Sequence, residues 1–208
     1  VVFTGNIAHL GGGFYSFRYG SVNMTDVSFI QNTALSSDIA NDGGGFNANY
    51  NINVTGVNVS FIGNSAADSG GGAAVCASST LDLTNGLFLG NRAVGYVGGG
   101  LAVKEDGTAV IKNATFNGNS AKLWQTSITI PMGGALGINF SGSITASNCI
   151  MWGNYPNEIC DYWISPTVNY SDVYKDSGVY PGTGNINADP MFIYPADPAN
   201  APSTEGDL

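Results

Sequence analysis

Across 208 residues only 10% of side chains are charged, the formal net charge is −9, and the six Lys and Arg are scattered, which excludes the basic stripe that a nucleic-acid surface needs. No apolar run approaches the roughly 18 residues of a membrane-spanning helix, so any membrane anchor is expected outside this segment.

The chain opens inside a repeat, at Val1-Val-Phe-Thr-Gly-Asn6, with neither an initiator Met nor a leader, so a longer secreted chain is expected around it. Two signatures then alternate. One is Phe-x-x-Asn, at Phe3/Asn6, Phe29/Asn32, Phe61/Asn64, Phe88/Asn91 and Phe116/Asn119, with Met151/Asn154 as an altered copy. The other is a glycine triplet ending at Gly13, Gly45, Gly72 and Gly100, with Gly133-Gly-Ala135 as its fifth copy. From the end of each triplet to the next Phe or Met the distance is always 16, whereas from Phe to the next triplet it runs from 10 to 19. A constant arc with one elastic loop per copy is the signature of a solenoid whose insertions all leave at one place.

Within the arc the residues seven and five before the Phe are mostly apolar: Val22/Met24, Val54/Gly56, Leu81/Leu83, Ala109/Ile111 and Ile144/Ala146. Further period-two pairs stand just after each triplet (Phe46/Ala48, Leu101/Val103) and at the Phe itself (Val27/Phe29, Val59/Phe61). Three short strands per copy are predicted, with no room for a helix. The fold expected is all-β, a right-handed three-sided parallel β-helix of about six coils, with residues 1–164 as the repeat body. Three residues before the Phe stand Asp26, Asn58, Asn85, Asn113 and Asn148, and three after it Asn6 to Asn154; both columns are predicted to stack as ladders flanking an interior Phe column. Gly5, Gly63, Gly90, Gly118 and Gly153, with Gln31 as the exception, mark a positive-φ corner before the second ladder.

From Pro156 the repeat loosens, and six of the eight prolines lie from Pro166 onward. Residues 165–208 are expected to form a degenerate terminal coil and then a Pro-rich extended tail from about Tyr194, within the same domain.

The Phe-x-x-Asn motif alternating with glycine triplets resembles the repeat of the polymorphic outer membrane proteins over about residues 1–154. The segments Cys149–Asn154, Val168–Val173 and Gly184–Phe192 are similar to the closing coils of secreted bacterial right-handed β-helix proteins. Both resemblances imply an extracellular or cell-surface location, and the first implies a surface-exposed adhesin; neither implies an activity or a cofactor.

Catalysis on such a scaffold needs carboxylates or a base stacked on neighbouring coils. The outward column six before the Phe reads Asn23, Thr55, Asp82, Val110 and Thr145, which stacks none, and Glu105-Asp106 before Gly107 reads as a solvated turn. The lone His9 reads as a surface residue, and Asp42 and Asp68, each beside a triplet, are the positions where calcium is conceivable. Rows of Thr for an ice-binding face do not share one column.

The outward row one after the Phe, with Ile30, Ile62, Leu89 and Trp152, is rich in apolar residues, and Trp124 lies in the longest loop, 122–132. This row is a candidate interaction surface, unless each loop folds over its own part of it. Asn23, Asn53, Asn139 and Asn169 are candidate glycosylation acceptors; Asn58 and Asn113 also head sequons but fall on the inner ladder, where a glycan would break the turn. Cys149 falls on an inward column as a small core residue, and a disulfide to Cys160 is an alternative consistent with secretion. Cys76 sits on an outward column shared with Lys104 and Asn139 and is expected to be free or partly covered.

The function expected is a non-enzymatic structural or adhesive module of a surface protein, contacting another protein, a glycan or, end to end as a filament, further copies of itself. A carbohydrate-active or glycan-binding β-helix is the alternative.

Overall fold

The computed structural model describes residues 1–36, 43–122, 132–160 and 164–206. Its strands form three parallel sheets wound into a solenoid. The first sheet has ten strands, among them Val2–Thr4, Gly20–Ile30, Ile52–Ile62 and Thr80–Leu89. The second has five two-residue strands, from Ile7–Ala8 to Ser120–Ala121, and the third has five four-residue strands, from Phe14–Phe17 to Leu136–Asn139. Five layers in the two smaller sheets are separated by four steps, so the body makes about four complete turns rather than six. The difference lies in the terminal coil, whose strands Thr167–Asn169 and Asp172–Val173 extend only the first sheet.

Two strands expected from each arc are the arms of one bent strand in the first three arcs, and in the next two the strand is interrupted at the same bend. The bend falls where Asp26, Asn58, Asn85, Asn113 and Asn148 take φ between 54° and 59°, a left-handed conformation that Asn and Asp tolerate better than other side chains. The arms on both sides stay in one sheet, with Val22 opposite Val54 and Phe29 opposite Phe61. The true third face is the second sheet, only two residues wide, where Ala34, Ala66, Ala93 and Ala121 stack in register. Two residues are too few for a periodicity to register in sequence.

The glycine triplets close this narrow corner. The first glycine of each copy has a φ between 55° and 73°. At the second there is no space for a side chain: a Cβ on Gly71 would lie 2.5 Å from the backbone of Arg92 in the second sheet. The third seats a ring, since a Cβ on Gly100 would meet Phe116 at 3.0 Å. In the fifth copy Ala135 takes that place and the thinner Met151 replaces Phe sixteen residues on, so the two substitutions are matched.

The core is a column. Phe3, Phe29, Phe61, Phe88 and Phe116 stack with centroid separations of 5.0, 5.1, 4.7 and 4.4 Å and near-parallel planes. Aliphatic columns such as Val54, Leu81, Ala109 and Ile144 fill the rest. Each fully buried Phe is worth about 3–5 kcal/mol against Ala by the usual cost of such deletions.

Candidate functional site

Three residues after each Phe, the Asn side chains form a buried ladder. Asn64 donates its Nδ2 to Phe29 O (2.9 Å) and to Asn91 Oδ1 (3.0 Å), and its backbone N–H reaches the same Oδ1 at 2.9 Å. Asn32, Asn91 and Asn119 repeat the pattern, so each amide donates twice and accepts twice and is saturated. The glycine before each rung has positive φ, and Gln31 adopts it as well, at 53°.

The other ladder lies outside. Asn58 Nδ2 donates to Asp26 Oδ1 at 2.9 Å and Asn85 Nδ2 to Asn58 Oδ1 at 3.0 Å, on an exposed corner. The expectation that Asn58 and Asn113 are inward is corrected: positive φ at the bend turns these side chains to solvent.

The buried ladder ends at a carboxyl. Asn154 donates both its backbone N–H (3.1 Å) and its Nδ2 to the two oxygens of Glu158, which takes the place of the next rung. Glu158 is only 3% exposed. Burial pushes its carboxyl up to about 7, against the opposing pull of the Asn154 donors. It borders a cavity of about 380 Å³ whose other walls include Tyr174, Lys175, Asp176 and Tyr180. Glu158 gave no sequence signal, because it stands four residues after Asn154 rather than one coil later.

The candidate interaction row faces outward, and from the coil of Ile62 to that of Asn117 the chain's own tail lies over it. Asn117, in that row, accepts Ala196 N–H at 2.7 Å and donates to Trp152 O at 2.7 Å. Ser203 N–H donates to Gly90 O at 2.9 Å, and a Cβ on Gly63 would meet Ser203 O at 3.0 Å. Leu89 is buried, Ile30, Ile62 and Trp152 are half-buried, and Trp152 stands edge-on to Tyr174 at 5.1 Å. Among the described residues the covering element is thus residues 196–206. The segment just before it exposes Met191, Ile193 and Tyr194. Trp124 and Asp42 lie outside the described residues.

Described residues of two loops, Val97 and Met132, cover a different surface, part of the outer face of the third sheet. Ala102 on that face packs with Val97, Ala93 and Met132. Beside it Lys104, 1% exposed, pairs with Asp68 at 3.1 Å. Asp68, one of the two positions weighed for calcium, is therefore engaged by an ammonium group. Cys76 lies in the same outward column and is fully buried, not partly covered as expected. Cys149 belongs to the main core and Cys160 to the cluster under the loops, and no disulfide joins them. Of the candidate glycan acceptors, Asn23 and Asn53 are exposed on the first sheet, and Asn169 is half-buried with its Oδ1 accepting Thr183 N–H at 2.8 Å. Asn139 is 5% exposed, which corrects its candidacy, since a buried amide has no room for a glycan.

On the first sheet Asn23, Thr55, Asp82, Val110 and Thr145 align across the strands as expected. The one carboxylate in that column, Asp82, meets Lys112 at 3.6 Å in solvent. Glu105 and Asp106 form the expected turn, and His9 is exposed.

These features define a three-sided parallel β-solenoid whose coils are fixed by a buried amide ladder and a stacked aromatic column. The family model of the Chlamydia polymorphic membrane protein repeat matches residues 58–78. That stretch runs from the exposed Asn58 bend through Phe61, Asn64 and the Gly70–Gly72 triplet into the third sheet, one repeat's worth of the signature that recurs along the body. No curated protein and no solved structure matches the chain. Among the described residues, no helix is long and apolar enough to cross a membrane.

Proposed function

We propose that this chain is a non-enzymatic, surface-exposed module of adhesin type, on the outer membrane or cell surface, whose rigid coils hold loops for contact with other molecules. The observation that carries this reading is the match of its repeat to that of surface-located polymorphic membrane proteins. The architecture supports it: a saturated buried ladder, an exposed ladder and a ring stack hold the coils in register, while all length variation leaves at one edge. The tail occupies the lateral row, so the contact surfaces this reading favours are the loops and the ridge of Met191, Ile193 and Tyr194. The test is adhesion of chain-coated beads to cultured cell monolayers. Binding is expected, and replacing residues 123–131 with a Gly-Ser linker is expected to reduce it without loss of β circular dichroism. Beads that adhere no better than albumin-coated ones would count against the reading.

A further inference from the structure

The cavity beside Glu158 lies at the end of the buried ladder, walled by the segment that follows Asn154 and, through Tyr174, adjoining Trp152 of the lateral row. Its floor is apolar, formed by Ile159 and Val173, which are 4% and 1% exposed. Its rim is polar and ordered. Tyr174 donates its hydroxyl to Asp176 Oδ1 at 3.0 Å, which fixes the ring and leaves the second carboxylate oxygen of Asp176 as an acceptor. Lys175 also lines the cavity, and neither ion pair found among the described residues involves it. Asn157 adds an amide.

An apolar floor under a rim of one carboxylate, one ammonium, an amide and a phenol matches a ring with a C–H face and hydroxyl edges. The charges of Asp176 and Lys175 offset each other and the Glu158 carboxyl can add only negative charge, so an anion is disfavoured and a neutral ligand fits. At about 380 Å³ the volume is near the small end of the roughly 300–1,000 Å³ of ligand pockets, suited to a single ring or a chain end. We propose that this cavity binds one neutral sugar ring, with Asp176 and Lys175 on its hydroxyls and Ile159 and Val173 under its C–H face. Glu158 would act as a positioning residue, holding the floor through Asn154.

This inference names a ligand within the contact function proposed above, and rests on it only in that the sugar is bound and released unchanged. The experiment titrates the intact chain with galactose, N-acetylglucosamine and glucuronate, following the NMR signals of Tyr174 and Lys175. A neutral sugar is expected to bind with Kd on the order of 1 mM. Asp176→Ala and Tyr174→Ala, both at exposed positions, are expected to weaken it at least tenfold with unchanged melting, and Asp82→Asn to leave it unaltered. If the signals stay still at ten times that concentration, if glucuronate binds tighter than both neutral sugars, or if the Asp176 and Tyr174 variants bind as well as the parent, the proposal fails. Lactose provides the separating control. Its cleavage by the chain would overturn the non-enzymatic reading and leave the site standing, whereas adhesion without sugar-dependent shifts would do the reverse.

Discussion

Asn117 accepts the backbone N–H of Ala196 at 2.7 Å although 79 residues separate them, and this bond ties the tail across coils that the chain completed long before. Asn117 is fully buried, so its amide is held on one side by Trp152 O and on the other by the tail. Asn117→Ala is expected to free the tail while the ladders stay intact. Chymotrypsin should then cut after Phe192, the Tyr194–Pro195 bond being resistant, with little change in far-ultraviolet circular dichroism. A tail as resistant as that of the parent would show that the bond is dispensable.

Two corner glycines separate backbone strain from tail contact. Gly5 and Gly90 have nearly equal φ, 64° and 59°, but a Cβ on Gly5 meets nothing within 4 Å whereas one on Gly90 runs into Ser203. Both Ala variants carry the left-handed cost of about 1–2 kcal/mol. Only Gly90→Ala is expected to release the tail as well, read by the same protease assay.

The two ladders differ in what they hold. Asn91→Ala removes the acceptor for Asn64 N–H and Nδ2 and leaves Phe61 O and Asn119 Oδ1 without one donor each, all buried. With each buried unmet group costing about 1–3 kcal/mol, a loss of at least about 3 kcal/mol is expected in urea unfolding. Asn85→Gly on the exposed ladder keeps the left-handed bend accessible and should cost under about 1 kcal/mol. Equal losses would mean the ladders are equivalent.

Glu158 gives the fold a pH dependence of defined sign. Its carboxyl is raised from 4.5 to about 7 in the folded chain, so the folded state binds the extra proton between those values. Its contribution is present in full below about pH 4.5 and is lost as pH rises through 7, an effect of up to about 3 kcal/mol by linkage. Urea midpoints from pH 5 to 8 are expected to fall for the parent and to stay level for Glu158→Gln. A parent midpoint that rises across this window would contradict the assignment.

Asp68→Ala is expected to leave Lys104 buried without its carboxylate, at a cost of about 3–5 kcal/mol. Asp68→Ala combined with Lys104→Met should recover part of it. Thermal melting of the two variants provides the comparison.

The 16-residue spacing and the two Asn columns made the solenoid, its ring stack and its corners legible in sequence, because each column is read by its own neighbours one coil away. The sequence was silent where a contact has no period. Residues 196–206 lie over Leu89 and Asn117 without sharing their repeat, and Glu158 fills a rung position from four residues downstream. The inward or outward sense of a ladder was likewise hidden, since an Asn at a bend can face either way until φ is known. Burial of Asn139 and Cys76 on an outward column was hidden as well, since the period of the strand gives the face and not what lies over it.

The matched pair of Ala135 and Met151 shows how such a chain can change over generations. An insertion of one residue inside the arc would throw both ladders and the ring column out of phase at once. Duplication of an entire coil, by contrast, supplies every new rung with a donor above and an acceptor below. The natural unit of growth and loss is therefore the whole coil, and between such events variation accumulates in the loops.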